Sequence, residues 1–200
     1  CVKQLLTNDF SNTNEVYIDD GVQKIGSYAF SSCSSLTSVD FPVATSIGSG
    51  AFSTCSKLTS VDFPVATSIG DSAFSSCSKL TSVDFPVATS IGNSAFQYCS
   101  DLTSVDFPVA TSIGSGAFQY CSKLTTLILR KSDSICTLSN TNAFNGAAIK
   151  SGTGYIYVPR TLVDTYKAAT NWSTYAAQFR ALEDYTVDGT ITGELDPSKI

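Results

Sequence analysis

Ile25, Ile47, Ile69, Ile91 and Ile113 are each followed by glycine and stand 22 residues apart without a slip. A unit that short cannot bury an apolar face by itself. Successive units have to stack so that each covers its neighbour, and the open ends of the stack require caps. The unit reads Ile-Gly, a few small residues, Ala-Phe, two variable residues and Cys. It then closes on a nearly invariant Ser-x-Leu-Thr-Ser-Val-Asp-Phe-Pro-Val-Ala-Thr-Ser, as between Ile47 and Ser68.

Within the unit, Leu58, Val61 and Phe63 fall on an L-x-x-L-x-L spacing that recurs as Leu36, Val39, Phe41 and as Leu80, Val83, Phe85. Val61 and Phe63 alternate inward while Ser60 and Asp62 face out, the mark of a short strand, and stacked strands form a parallel sheet. Pro64 lacks a ladder donor and turns the chain after the strand. The Ala51-Phe52 pair after Gly48 and Gly50 suggests one turn of helix or 3₁₀ on the opposite side. The expected fold is a leucine-rich-repeat solenoid of the right-handed β/α superhelix class. It is β-rich with short helical or 3₁₀ turns, and has a concave parallel sheet of about seven strands and a helical C-terminal cap. Residues 1–24 read as a lead-in and capping coil, and 25–159 as repeats, regular to about 129. Residues 160–187 read as the cap, where Trp172 closes the stack and Asn171 interrupts the helix, and 188–200 as a tail or linker.

The net charge of −5 and pI near 4.5 supply no basic stripe, so nucleic acid is not an expected partner. No apolar run approaches the roughly 20 residues of a membrane helix, so no membrane insertion is expected. The absence of Met marks a processed, trimmed or internally cut piece of a longer chain. The absence of His removes the commonest general base and metal ligand. An enzyme is therefore disfavoured: no catalytic residue, cofactor or metal is expected, and the chain reads as a monomer.

Five of the seven cysteines, Cys33, Cys55, Cys77, Cys99 and Cys121, hold one position in successive units and form a column. The expected role is a structural ladder of small buried hydrophobes. A disulfide between adjacent coils is the alternative that spacing leaves open. A straight row does not converge on a tetrahedral metal. Cys136 is expected to pack in the irregular coil, and Cys1 is either a cut end or a lipid-modified mature N-terminus.

The candidate site is the concave face. One outward column runs Tyr17, Asp40, Asp62, Asp84, Asp106, Ile128, Tyr157, and the column beside it Glu15, Ser38, Ser60, Ser82, Ser104, Thr126, Tyr155. Stacked carboxylates repel by roughly 0.8 kcal/mol per neighbouring pair in water. Solvent, serine hydroxyls, a bound cation or a basic ligand would relieve them. Asp40, Asp62, Asp84 and Asp106, with Tyr17, Tyr155 and Tyr157 flanking, are the candidate ligand-binding residues, and a merely solvated acidic face is the alternative. Calcium is disfavoured because the row offers few oxygens per ion. Tyr98 and Tyr120 beside the cysteine column come next, either as contact residues or as cover for the convex surface. Asn171-Trp172-Ser173 matches a glycosylation acceptor, but packing in the cap explains it better.

The pattern Ile-Gly-x-x-Ala-Phe-x-x-Cys-Ser-x-Leu-x-x-Val-x-Phe-Pro, from about Val16 to Pro159, resembles the BspA-type leucine-rich repeats of bacterial and some protozoan surface proteins. The unit is one residue shorter in its Pro-Val turn than is usual there, and Tyr155 to Phe179 looks like a cap found in such proteins of gut-associated bacteria. The resemblance implies an extracellular or cell-surface module that binds a protein or glycan, such as host extracellular matrix or mucin, in an adhesion-like role with no active site. A rigid spacer displaying another domain is the alternative.

Overall fold

The computed structural model describes residues 15–16, 21–184, 186–187 and 190–191, with side chains for 21–183. Cys1, the polar lead-in, Tyr17 and most of the tail lie outside the described residues.

Each regular coil contributes two strands. The first column comprises Glu15–Val16, Ser38–Asp40, Ser60–Asp62, Ser82–Asp84, Ser104–Asp106, Thr126–Ile128, Tyr155–Val158 and Phe179–Ala181. Pairing is parallel and keeps the repeat register, with Val39 on Val61 on Val83, and Val105 on Leu127 on Ile156. Among the described residues this face therefore carries eight strands rather than about seven, since Phe-Arg-Ala at 179–181 adds a strand inside the segment read as a helical cap. It divides into two four-stranded pieces, between Ser82–Asp84 and Ser104–Asp106. Packing registers the same break: Phe85 and Phe107 stand 6.4 Å apart at 20°, against 5.4 Å and 4° for Phe63 and Phe85.

A second parallel sheet of six two-residue strands runs behind it, from Lys24–Ile25 through Ser46–Ile47, Ser68–Ile69, Ser90–Ile91 and Ser112–Ile113 to Thr137–Leu138. The isoleucines point inward and the following glycines lie against the previous coil. A Cβ on Gly70 would come within 2.7 Å of the Gly48 and Ile47 backbone, and Gly48, Gly92 and Gly114 are as crowded. Threonines tie the coils at both edges. The Thr67 amide and hydroxyl both donate to the Thr45 carbonyl, at 2.9 and 3.2 Å, and Thr81 does the same to Thr59 at 2.9 and 3.1 Å.

The Ala-Phe arc is built of 3₁₀-type turns rather than a continuous helix. Ala51, Ser53 and Cys55 donate back three residues within the coil, whereas Gly50, Phe52 and Thr54 donate to Asp71, Ala73 and Ser75 of the next. Alternate amides thus serve the turn and the stack. The alternation holds because Gly50 and Thr54 adopt positive φ of 60° and 64°, which breaks helical continuity.

Between the sheets and the arc the core is two interlocked columns of rings. Phe30, Phe52, Phe74, Phe96, Phe118 and Phe144 stack at 5.2 to 5.5 Å. Phe41, Phe63, Phe85 and Phe107 form the second column, and each ring contributes on the order of 2 kcal/mol by burial. The first column ends against Tyr175 and Trp172, 5.2 and 6.1 Å from Phe144. The helix Val163–Ala168 supplies Tyr166, and the 3₁₀ segment Trp172–Gln178 begins after Asn171, whose φ is 64°. Trp172 Nε1 donates to the Cys136 carbonyl at 2.7 Å, and Cys136 N–H donates to Tyr166 Oη at 2.7 Å. Asn171 Nδ2 donates to the Leu138 carbonyl at 2.7 Å, so this amide is engaged in the cap.

Cys33, Cys55, Cys77, Cys99, Cys121 and Cys136 are buried free thiols. Cys55, Cys77, Cys99 and Cys121 donate Sγ–H to the Phe carbonyl one coil back, at 3.0 to 3.2 Å. Burial pushes Cys55, Cys121 and Cys136 up to about 12, and Cys77 and Cys99 higher still.

Two outcomes follow from this packing. Gly70→Ala should cost roughly 2–3 kcal/mol by overpacking against backbone that cannot yield, read as a lowered denaturation midpoint. These six thiols should resist iodoacetamide at pH 8 and react only as the chain unfolds, so labelling that keeps pace with a free thiol in folded protein would contradict their placement.

Candidate functional site

Strand alternation sets the concave surface: each Val points into the core and the Ser and Asp on either side point out. Asp40 pairs in register with Asp62 and Asp62 with Asp84. All three are exposed, one strand spacing of about 4.8 Å apart. Asp62, in the middle, has its carboxyl raised above the ordinary carboxylate value, first by partial desolvation and then by the charges of Asp84 and Asp40. Ser38, Ser60, Ser82 and Ser104 form the parallel hydroxyl column.

Asp106 departs from the other three. Arg130 Nη2 and Nε both reach its Oδ2, at 2.7 and 2.8 Å, while Oδ1 is buried without a hydrogen-bond partner. Sequence reasoning groups this aspartate with the other three and misses Arg130, which lies 24 residues away and off the repeat period. Ile128, expected as part of the exposed surface, is only 4% exposed although it pairs between Asp106 and Tyr157. It is a correction: the outward column is covered at this coil.

Beyond Ile128 the surface becomes aromatic and cationic. Tyr155 is 38% exposed, and its ring meets that of half-buried Tyr157 edge-on at 6.4 Å. Arg180 pairs in register with Tyr157, and its guanidinium lies 4.3 Å from the Tyr155 ring centre. Sequence reasoning misses Arg180 as well, because Phe179–Ala181 falls in the segment expected to be a helical cap; its apolar-charged-apolar alternation is the signal that could have found it. A shallow hollow beside it is lined by Arg160, Val163, Asp164, Lys167 and Phe179. The concave face thus runs from an acidic stripe to an aromatic and basic end. Tyr17 falls outside the described residues.

Elsewhere, Asp101 stands between Lys79 and Lys123 at 3.0 and 2.7 Å, and their hydrogen bonds hold its carboxyl below the ordinary range. Tyr98 and Tyr120 stack at 4.8 Å and 12° on the outer arc, both substantially exposed. The cysteine column is buried, away from the concave face. Among the described residues no group of three Cys, Asp or Glu side chains is placed to hold a metal ion, and no helix is long and apolar enough to cross a membrane. The arrangement is suited to recognition along an extended surface, since its polar groups are spread along a line.

Residues 4–125 and 45–160 match the model of the BspA type leucine rich repeat region, in six copies. Three solved structures share the fold. A leucine-rich cell surface protein from Faecalibacterium prausnitzii A2-165 is 22% identical with a TM-score of 0.57, covering 83% of this chain and 51% of that one. A leucine-rich repeat protein from Bacteroides ovatus is 21% identical with a TM-score of 0.54, covering 82% and 47%. A leucine-rich repeat protein of T. pallidum is 21% identical with a TM-score of 0.51, covering 72% and 61%. The chain thus spans about half to three fifths of the length of these structures. No curated protein sequence matches it. A repeat model that spans most of the chain shows that this protein belongs to the BspA-type leucine-rich repeat family.

Proposed function

We propose that the chain is a non-catalytic binding module of a bacterial surface or secreted protein, and that it engages a basic stretch of a protein partner along its concave face. The observation that supports this reading is the set of three in-register carboxylates, Asp40, Asp62 and Asp84. Among the described residues no cation pairs with any of them, although Asp101 and Asp106 are each neutralised by neighbouring coils. A column of like charges opposes the stack that holds it, and a lysine- or arginine-bearing ligand laid across the strands removes that opposition. Tyr155, Tyr157 and Arg180 supply the aromatic and guanidinium groups that protein interfaces favour. Extracellular matrix proteins and the polypeptide of mucins are the partner classes to test. An extracellular setting is favoured by the likeness to the Faecalibacterium protein, which is described as a cell surface protein. A spacer role is the second reading, favoured by the near identity of the coils and their continuous ring stack.

In a binding screen against matrix proteins and mucins, the double change Asp62→Lys and Asp84→Lys should abolish the interaction while the melting temperature holds. Affinity should fall about tenfold or more for each charge-assisted hydrogen bond that the change removes. Equal binding by both proteins would move the site elsewhere, and no binding by either would favour the spacer.

The electrostatics carry a pH signature. The folded pKa of Asp62 lies above its unfolded value, so the folded state takes up a proton at a pH where the unfolded chain still refuses it. The contribution of this residue therefore opposes folding at neutral pH and is relieved as pH falls through the raised value. Asp62→Asn should stabilise the protein at pH 7 and low salt by a few tenths of a kcal/mol, discounted for screening at an exposed site. The gain should shrink in high salt and vanish once pH falls below the ordinary carboxylate range; a loss of stability at pH 7 would contradict the repulsion.

A further inference from the structure

We propose that the step formed by Tyr98 on the outer arc is a second binding site, one that takes the hexopyranose ring of a glycan. The position after the variable residue of the arc holds Ser32, Thr54, Ser76, Tyr98 and Tyr120 in successive coils. All five share a positive φ between 61° and 64°. With one backbone geometry their side chains leave the coil in one direction. Small residues suit that conformation, and a bulky residue there costs about 1–3 kcal/mol. Two tyrosines nevertheless occupy it, and neither is repaid by burial: Tyr98 is 48% exposed and Tyr120 45%.

The direction of the rings is fixed by packing. Tyr120 packs against Gly146, where an added Cβ would come within 2.6 Å of its Cδ1. Tyr98 stacks on Tyr120 at 4.8 Å. On the same arc Tyr28 covers Gly50 in the same manner, 2.4 Å from where a Cβ would stand. Each ring therefore leans toward the coil that follows. Tyr98 is the first ring of this stack, because the same position one coil earlier holds Ser76, whose side chain is small. The stack thus ends at Tyr98, and the same two arc positions of the preceding coils hold only the small hydroxyl residues Ser75-Ser76 and Ser53-Thr54.

Beside the step, Gln97 Nε2 donates to Gln119 Oε1 at 2.6 Å. That bond fixes the amide and leaves the Gln97 carbonyl oxygen to accept a sugar hydroxyl. Gln-Tyr replaces Ser-Thr or Ser-Ser only in these two of the five regular coils, so amide and aromatic arrive together. A pyranose ring presents one face of axial C–H groups and a rim of equatorial hydroxyls. The C–H face fits the Tyr98 ring, which is rigid and loses little conformational entropy, and the rim reaches the Gln and Ser groups. Such a site holds one sugar with a Kd of about 1 mM. It stands apart from the acidic concave stripe and does not depend on it.

Saturation-transfer NMR with the methyl glycosides of glucose, galactose, N-acetylglucosamine, mannose and fucose tests the proposal. At least one glycoside should receive saturation on the axial protons of one face. Changing Gln97→Ser with Tyr98→Ser reproduces the Ser75-Ser76 sequence that the preceding coil already folds with, and should weaken the signal at least tenfold. Tyr98→Phe and the pair Asp62→Lys, Asp84→Lys should leave it unchanged. Saturation of no glycoside, an unchanged signal in the serine variant, or loss in the lysine variant would each overturn the assignment.

Discussion

Parallel strands bonded coil to coil place each residue one strand spacing from the residue a full period away. With a repeat of 22 residues that neighbour is nearly always the same residue type, so every position has to be compatible with itself. The invariant residues meet this demand in different ways. Phe stacks on Phe, and the Thr67 amide and hydroxyl both donate to the Thr45 carbonyl, which can accept twice. Gly70 lies against Gly48 where no Cβ fits. Each thiol from Cys55 to Cys121 donates to a Phe carbonyl instead of meeting its copy.

Against that rule the aspartates of the concave face stand out, because a carboxylate is not compatible with itself. Two other aspartates, Asp101 and Asp71, are each partnered by a change of residue in a neighbouring coil. Asp101 interrupts a lysine column between Lys79 and Lys123, and the backbone amide of Asn93, which follows Asp71 in its column, donates to the Asp71 carboxylate at 2.7 Å. Arg130 neutralises Asp106 from the irregular coil. Asp40, Asp62 and Asp84 are left as the exposed acidic surface, and the physical case for a partner rests on them.

The stack, the inward Val and Phe, the outward Ser and Asp columns and their register are all legible in the sequence, because each follows from one period combined with strand alternation. What is not legible lies where periodicity is silent. The second sheet is built of two-residue strands such as Ser68–Ile69, too short to display alternation. The arc around Ala51-Phe52 looks helical because its Gly and Ser positions do not advertise positive φ. Arg130 and Arg180 join the concave face from irregular segments, where spacing no longer identifies neighbours. The burial of Ile128 follows from that local irregularity, and no pattern over the regular coils reports it.

If each coil depends only on its neighbours through self-matching contacts, removing one whole period should leave every type of interaction in place. The direct test is to delete residues 56–77, one 22-residue period, and compare the product with a deletion of half that length. The full-period deletion should fold cooperatively, with unchanged far-ultraviolet dichroism per residue and a modestly lower melting temperature, whereas the half-period deletion should not fold. A full-period deletion that fails to fold, or a half-period deletion that folds as well, would contradict the account.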